Sequence, residues 1–341
     1  MTNRERIVCA LKGETPDVTP LTSYEWMWRN EDPAPADLVE RGLGLTRHVG
    51  TCAADLLEVK HEEENWHEAG HNWRRLTVRT PAGSLQELYM DGWRQDFFIK
   101  APQDYKVLEW MARHTTLRPS YDGYEQAEEA LGGRGILIVS ASRSPIQRIL
   151  VDFVGIENFC YHLADDVQEM HSCYEALRES LYTEMEIIAA GPGRYVKMWE
   201  NFTAEAFGPE RFRRFHLPVY RRCGEILHAS GKLLMAHMDG RLGRTADALR
   251  GSGLDALESL TPPAEGDVPP ERWRSIWPDL RLWVNIPCSW YFEPPETFGR
   301  RIRELVRSIG DRRGLLFEIS EDLPANWRQS IPVALGALQG I

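Results

Sequence analysis

The stretch KLLMAHMDG (residues 232–240) runs four apolar residues, Leu233 to Ala236, into His237 and then, two positions on, Asp239 and Gly240. A strand buried on both faces of a parallel sheet accounts for the apolar run, but packing asks for neither the imidazole nor the carboxylate at its exit. The same shape recurs along the chain. Apolar runs of strand length, each followed by a turn and a helix-period segment, fall at 18–24, 54–60, 135–141, 195–200, 232–237, 254–260, 280–286 and 314–320. Amphipathic helices lie between the later ones. PERFRRFHLPVYRRCGEILHASG (209–231) closes at Gly231, and EPPETFGRRIRELVRSIG (293–310) begins on prolines and stops at Gly310. Strands alternating with helices build βαβ units, and eight such units close into a cylinder. The expected fold is therefore α/β: a single (β/α)8 TIM-type barrel spanning residues 1–341.

Residues 61–134 depart from the repeat. RRLTVRTPAGSLQELYM (74–90) reads as two extended runs about a Pro-Ala-Gly turn, a β-hairpin inserted after the second strand. It is expected to cap the barrel mouth or to meet a neighbouring subunit, which leaves a homodimer open.

Composition narrows the function classes. With 43% hydrophobic and 27% charged residues the chain reads as globular, and no window approaches the roughly 18 uncharged apolar residues of a membrane span. The start, MTNRERIVCALKGETPD, lacks the continuous apolar core of a secretory signal, so a cytoplasmic location is expected. Six scattered cysteines without a CxxC pair point to reduced thiols. A net charge of −11 disfavours nucleic acid as a partner and leaves small molecules as the expected substrates.

In such barrels the chemistry sits at the C-terminal ends of the strands. Strand one would deliver Tyr24, Glu25, Trp26 and Trp28; strand two Lys60 and His61; strand three Ser140, Ser142 and Arg143; strand four Trp199 and Glu200. Strand five ends at His237 and Asp239, strand six at Glu258, strand seven at Asn285 and Cys288, and strand eight at Glu318 with Glu321 beyond. Each has a plainer reading: His237 bonded to a carbonyl, Asp239-Gly240 as a turn, Cys288 and the tryptophans as packing. Carboxylates that end apolar strands are harder to dismiss, because burial is costly without a cation, a donor or water. Imidazole plus carboxylates, with a possible thiolate, suits zinc or another divalent ion; without metal, Glu200 and Glu318 would serve as general acid and base.

Four segments in order, NRERIVCALKGETPDVTPL (3–21), GKLLMAHMDGRLGRTADALRGSGLDALESLTP (231–262), WVNIPCSWYF (283–292) and GLLFEISEDLP (314–324), together resemble the uroporphyrinogen decarboxylase superfamily over nearly the whole chain. The resemblance implies a single (β/α)8 barrel and one of two activities. The decarboxylases bind a porphyrinogen's carboxylates with an arginine-rich motif after strand one. Here LTSYEWMWRN (21–30) stands instead, and acids at 25, 200, 258 and 318 would repel such a substrate. The other branch comprises zinc methyltransferases that exchange a methyl group with a corrinoid protein, using His-x-Cys at strand five and a second Cys at strand eight. His237 matches the first position, while Asp239 and Glu318 stand where thiolates are expected, a harder donor set.

The resemblance therefore implies a metal-dependent, corrinoid-linked methyltransferase or demethylase component. His237, Asp239, Glu318 and Cys288 would be metal ligands, and Glu200, Arg143 and Glu258 catalytic groups. Glu25, Trp26, Trp199, Trp290 and Tyr291 would contact a flat aryl ether or a methylammonium group. The alternative is a lyase or decarboxylase acting on a small non-porphyrin carboxylate, held by Arg143 or Lys60.

Overall fold

A computed structural model describes residues 1–28, 36–319 and 322–341. Eight parallel strands close a barrel: β1 (Leu21–Tyr24), β2 (Leu43–Val49), β3 (Gly135–Ala141), β4 (Tyr195–Met198), β5 (Leu233–His237), β6 (Ala256–Leu260), β7 (Arg281–Asn285) and β8 (Leu315–Ile319). Neighbours follow in sequence around the ring, and β1 closes it by pairing with both β8 and β2. This is the (β/α)8 fold that the alternation of strands and helices requires.

Seven strands lie where the apolar runs place them. The second does not: β2 is LGLTRHV, and residues 54–60 instead end a short strand (Cys52–Asp55) and open another (Lys60–Glu68). The inward positions of β2 explain why it carries no apolar signature. Gly44 must be small, because a Cβ there would sit 2.7 Å from Ile7 Cδ1, and Thr46 and His48 follow on the same face. Lys60 and His61 are therefore not strand-two exit residues.

The lower end of the barrel is filled with apolar side chains. Helix Asn3–Leu11 starts with a capping box, in which Glu5 N–H donates to Thr2 Oγ1 and Thr2 N–H to Glu5 Oε2. Its Ile7, Ala10 and Leu11 are fully buried against inward residues of the strands: Ile136 and Ile138 of β3, Tyr195 of β4, Met235 of β5 and Trp283 of β7. Ala256 and Leu316 complete the layer.

Two compact units are distinguished. Met1–Thr51, Tyr121–Ala141 and Ala189–Ile341 form the barrel; Cys52–Ser120 and Ser142–Ile188 form the second. The second unit holds a four-stranded antiparallel sheet, Lys60–Glu68, His71–Thr80, Gly83–Met90 and Trp93–Asp96. Its two central strands form the hairpin expected from the Pro-Ala-Gly turn, pairing Thr80 with Gly83. Among the described residues no helix is long and apolar enough to cross a membrane.

Candidate functional site

One step of two residues up each strand, the inward face changes character. Tyr195 is followed by Lys197, Met235 by His237, Ala256 by Glu258, Trp283 by Asn285 and Leu316 by Glu318, and all five polar residues are buried. Tyr24 of β1 and His48 of β2 join them. Placing this many polar groups in a barrel interior is costly unless they satisfy one another.

Most of them do. Glu258 is the hub: Tyr24 donates its hydroxyl to Oε1 at 2.7 Å, Lys197 Nζ donates to the same oxygen at 2.7 Å, and Oε2 pairs with His237 Nδ1 at 2.6 Å. A bulge between Leu257 and Leu260, with Ser259 in the left-handed region at φ 62°, interrupts β6 beside this carboxylate. The Lys197 ammonium lies 3.6 Å from the centre of the Trp199 ring, a cation–π contact in a desolvated setting. Trp199 itself donates its indole N–H to Ser140 at 3.2 Å and packs on His48, Tyr24 and His237.

The electrostatics follow from these contacts. Burial opposes charging Glu258, but Lys197 and His237 outweigh it and hold the carboxyl well below its usual range. Burial likewise opposes charging His237, yet Glu258 and Asp239 lift it to about 10, so the imidazole is protonated at neutral pH. Lys197 is lowered by burial against the pull of Glu258 and Glu318. His48 is pushed well below its ordinary value by burial and by Lys197, and is neutral. Glu318 is fully buried; burial and the Glu258 charge drive its carboxyl well above the usual range, so it stands as a neutral acid. Among the described residues Glu318 has no well-formed hydrogen bond beyond the nearby Ser259 backbone, and the side-chain Oδ1 of Asn285 beside it on β7 and the Tyr291 hydroxyl lack hydrogen bonds.

The structure thus gathers Tyr24, His237, Glu258 and Glu318 from the residues singled out in the sequence. Asp239, partly exposed, sets Oδ2 3.7 Å from His237 Nε2. Glu200 is fully buried just past β4. Glu25 is bound instead along one edge of the Arg47 guanidinium, Nε to Oε2 and Nη2 to Oε1 at 2.6 Å, so its charge is already paired. Trp26 is exposed and stacks on Tyr24 at 5.7 Å, whereas Tyr291 is buried against Phe298. Trp290 lines a groove of about 310 Å³ among Pro262, Pro263, Pro269 and Pro270, beneath the Arg301 guanidinium. Cys288 is half-buried in the turn after β7. Arg143 belongs to the second unit, where it pairs with Asp152 at 3.0 Å. Glu321 lies outside the described residues.

Two members of the cluster escape the exit-by-exit reading of the sequence. Lys197 sits inside an apolar strand, YVKM, where a lone lysine signals a buried partner rather than an exit; His48 belongs to the strand that the apolar runs misplace.

The residues at β5 supply two donors suited to a divalent ion. Nδ1 of His237 is tied to a carboxylate, as metal-binding imidazoles are, and a 3.7 Å separation of Nε2 from Asp239 is close to that of two ligands each about 2 Å from one ion. Among the described residues, however, no group of three His, Cys, Asp or Glu side chains is gathered at such spacing.

No protein-family model matches the chain, and no curated protein matches its sequence. Solved structures do. A methyltransferase from Methanosarcina mazei superposes with a TM-score of 0.60 at 11% identity, covering 100% of this chain and 99% of that one. The likeness is one of fold. A methionine-synthase-like protein from Listeria monocytogenes, at 16% identity, covers 62% of this chain and 66% of its own with a TM-score of 0.39.

Proposed function

We propose that this chain is an enzyme of the methyltransferase-type branch of the uroporphyrinogen decarboxylase superfamily, moving a methyl group to or from a small molecule at the C-terminal mouth of its barrel. The observation that carries the reading is the Glu258–His237 pair at 2.6 Å, which turns Nε2 of the imidazole towards Asp239. The whole-length likeness to a methyltransferase barrel supports it. In this reading a divalent ion would be held by His237 and Asp239, displacing the proton that Nε2 otherwise carries, and a methylcorrinoid on a partner protein would be the other reactant. Bound there, the ion supplies Lewis-acid activation of the heteroatom that gives or takes the methyl group.

The chain's own residues supply the rest. Glu258 fixes the ring orientation of His237, and Lys197 and Tyr24 hold the Glu258 oxygen that His237 does not use. Trp199 walls the site and, with Lys197 over its face, offers a rigid flat surface for a substrate group. Metal analysis of protein purified without a histidine tag tests the proposal. A stoichiometric ion that is lost in His237→Ala is the expected result; a fully folded, metal-free wild type would sink the metal-dependent reading. Methyl transfer from methylcobalamin to thiol, phenol and amine acceptors then reads the activity.

A carboxy-lyase reading has one observation in its favour. Glu318 and Asn285 stand side by side at the ends of β8 and β7, with Tyr291 in the turn that follows β7, and the Asn285 side-chain oxygen and the Tyr291 hydroxyl, which lack hydrogen bonds, would meet the polar group of a small acid. Release of CO2 from a panel of small carboxylates, with no methyl transfer, is the outcome that would select it.

A further inference from the structure

The second unit contains a cavity of about 260 Å³ that the chemistry of the barrel does not use, and every residue lining it belongs to that unit. Its walls come from four places, one of them the two-stranded pair that supplies Cys52, Ala53, Ala54 and Leu117. Helix Gln168–Ala190 presents Leu177, Ser180 and Glu184, spaced three and then four residues apart and so on one face. Helix Tyr105–His114 gives Leu108 and Met111, and the segment after β3 gives Ser142, Arg148 and Phe153. The cavity shares Ala112, Thr115, Leu117 and Ser180 with a more open cleft of about 270 Å³, which also carries Arg113 and Glu179, an ion pair at 3.5 Å.

Two charged groups line this cavity, whose walls are otherwise part apolar and part small polar side chains. Glu184 accepts the Ser142 backbone N–H at 3.0 Å, and burial still pushes its carboxyl upward against that bond and the Arg148 charge. Arg148 is weakly committed: Asp152 is held by Arg143 at 3.0 Å and meets Arg148 only at 3.9 Å, while the Arg148 guanidinium lies 5.6 Å from the Phe153 ring centre. A carboxyl that makes no ion pair among the described residues and a loosely paired guanidinium, lining one cavity with Leu108, Met111 and Leu177, are complementary to a molecule carrying both opposite charges. A neutral apolar ligand would leave both unanswered, and a simple amine or acid would answer one.

We propose that this cavity is a binding site for a small zwitterion, an ammonium and a carboxylate on a compact apolar body as in an apolar α-amino acid, with Glu184 taking the ammonium and Arg148 the carboxylate. The volume, below that of most drug-sized pockets, suits a ligand of that size. The site is independent of the barrel reaction, and the inference stands whichever reading of the barrel holds.

Calorimetric titration of the full chain with L-leucine, and with its two half-molecules isoamylamine and 4-methylpentanoate, tests it. Leucine is expected to bind saturably and each half-molecule at least about tenfold more weakly, since each leaves one charge unpaired. Glu184→Gln should weaken leucine at least about tenfold. Ser180→Trp, which fills the cavity without removing either charge, should abolish binding and keeps the test decisive where Glu184→Gln does not fold. Absence of saturable leucine binding to the folded wild type, a half-molecule that binds as tightly as leucine, or an affinity unchanged by Ser180→Trp would each overturn the proposal.

Discussion

The two ends of this barrel are built from the same strands and differ by a single step of the pleat. At the lower end Tyr195, Met235, Ala256, Trp283 and Leu316 meet the N-terminal helix in an apolar layer. Two residues further along each strand, Lys197, His237, Glu258, Asn285 and Glu318 form a buried polar layer in which Glu258 alone receives three partners. The difference teaches where the cost of function lies: the lower layer needs only volume, whereas the upper one is stable only while its charges answer one another.

Breaking the upper layer should have the largest effect. Glu258→Gln leaves Lys197 and His237 buried without their shared anion, at a cost of about 3–5 kcal/mol in urea unfolding. The double variant Lys197→Met with Glu258→Leu should regain part of that stability while losing the proposed activity, because it removes the buried ammonium together with its anion and leaves His237 to Asp239 alone. A double variant as unstable as the single one would show that the charge network does not set the cost. Next comes the lower layer: Ile7→Ala, opening a void under Gly44, should cost about 2–4 kcal/mol and leave metal or ligand affinity at the mouth unchanged, measured by calorimetry.

The effect that is smallest at neutral pH, and grows only as acid is added, sharpens the comparison by separating burial from charge partners. His216 is fully buried, as His237 nearly is, but sits among Phe202, Phe207, Phe212 and Tyr220, with both ring nitrogens lacking hydrogen bonds. Burial alone lowers it to about 3, where carboxylates raise His237 to about 10. The folded state therefore binds this proton less readily than the unfolded chain, so its contribution is present above about pH 6.5 and is lost as pH falls towards 3. His216→Phe should reduce the fall in stability across that window by up to about 1.4 kcal/mol per pH unit, read from unfolding curves at a series of pH values. Parallel pH dependences for variant and wild type would contradict it.

Much of this arrangement is legible in the residues. The strands from β4 to β8 show an apolar residue, a spacer and a polar residue in turn, YVK, MAH, ALE, WVN and LFE, and the inward face can be read from the polar one. The misplaced second strand shows the limit. Because Gly44, Thr46 and His48 occupy the inward face of β2, its pattern carries no apolar period, and the run at 54–60 draws the assignment away. That one displacement hides two facts at once: His48 joins the polar layer, and Arg47 pairs with Glu25, which the sequence offers as a free acid for substrate. The ion pair depends on a register between β1 and β2 that no local pattern reveals.

The helix at the start of the chain has a kinetic corollary. With Ile7, Ala10 and Leu11 packed across the lower end of the strands, that end is closed by apolar side chains. A small molecule taken up as proposed would have to approach His237 from the opposite end and leave the same way, so product departure and the next arrival would compete.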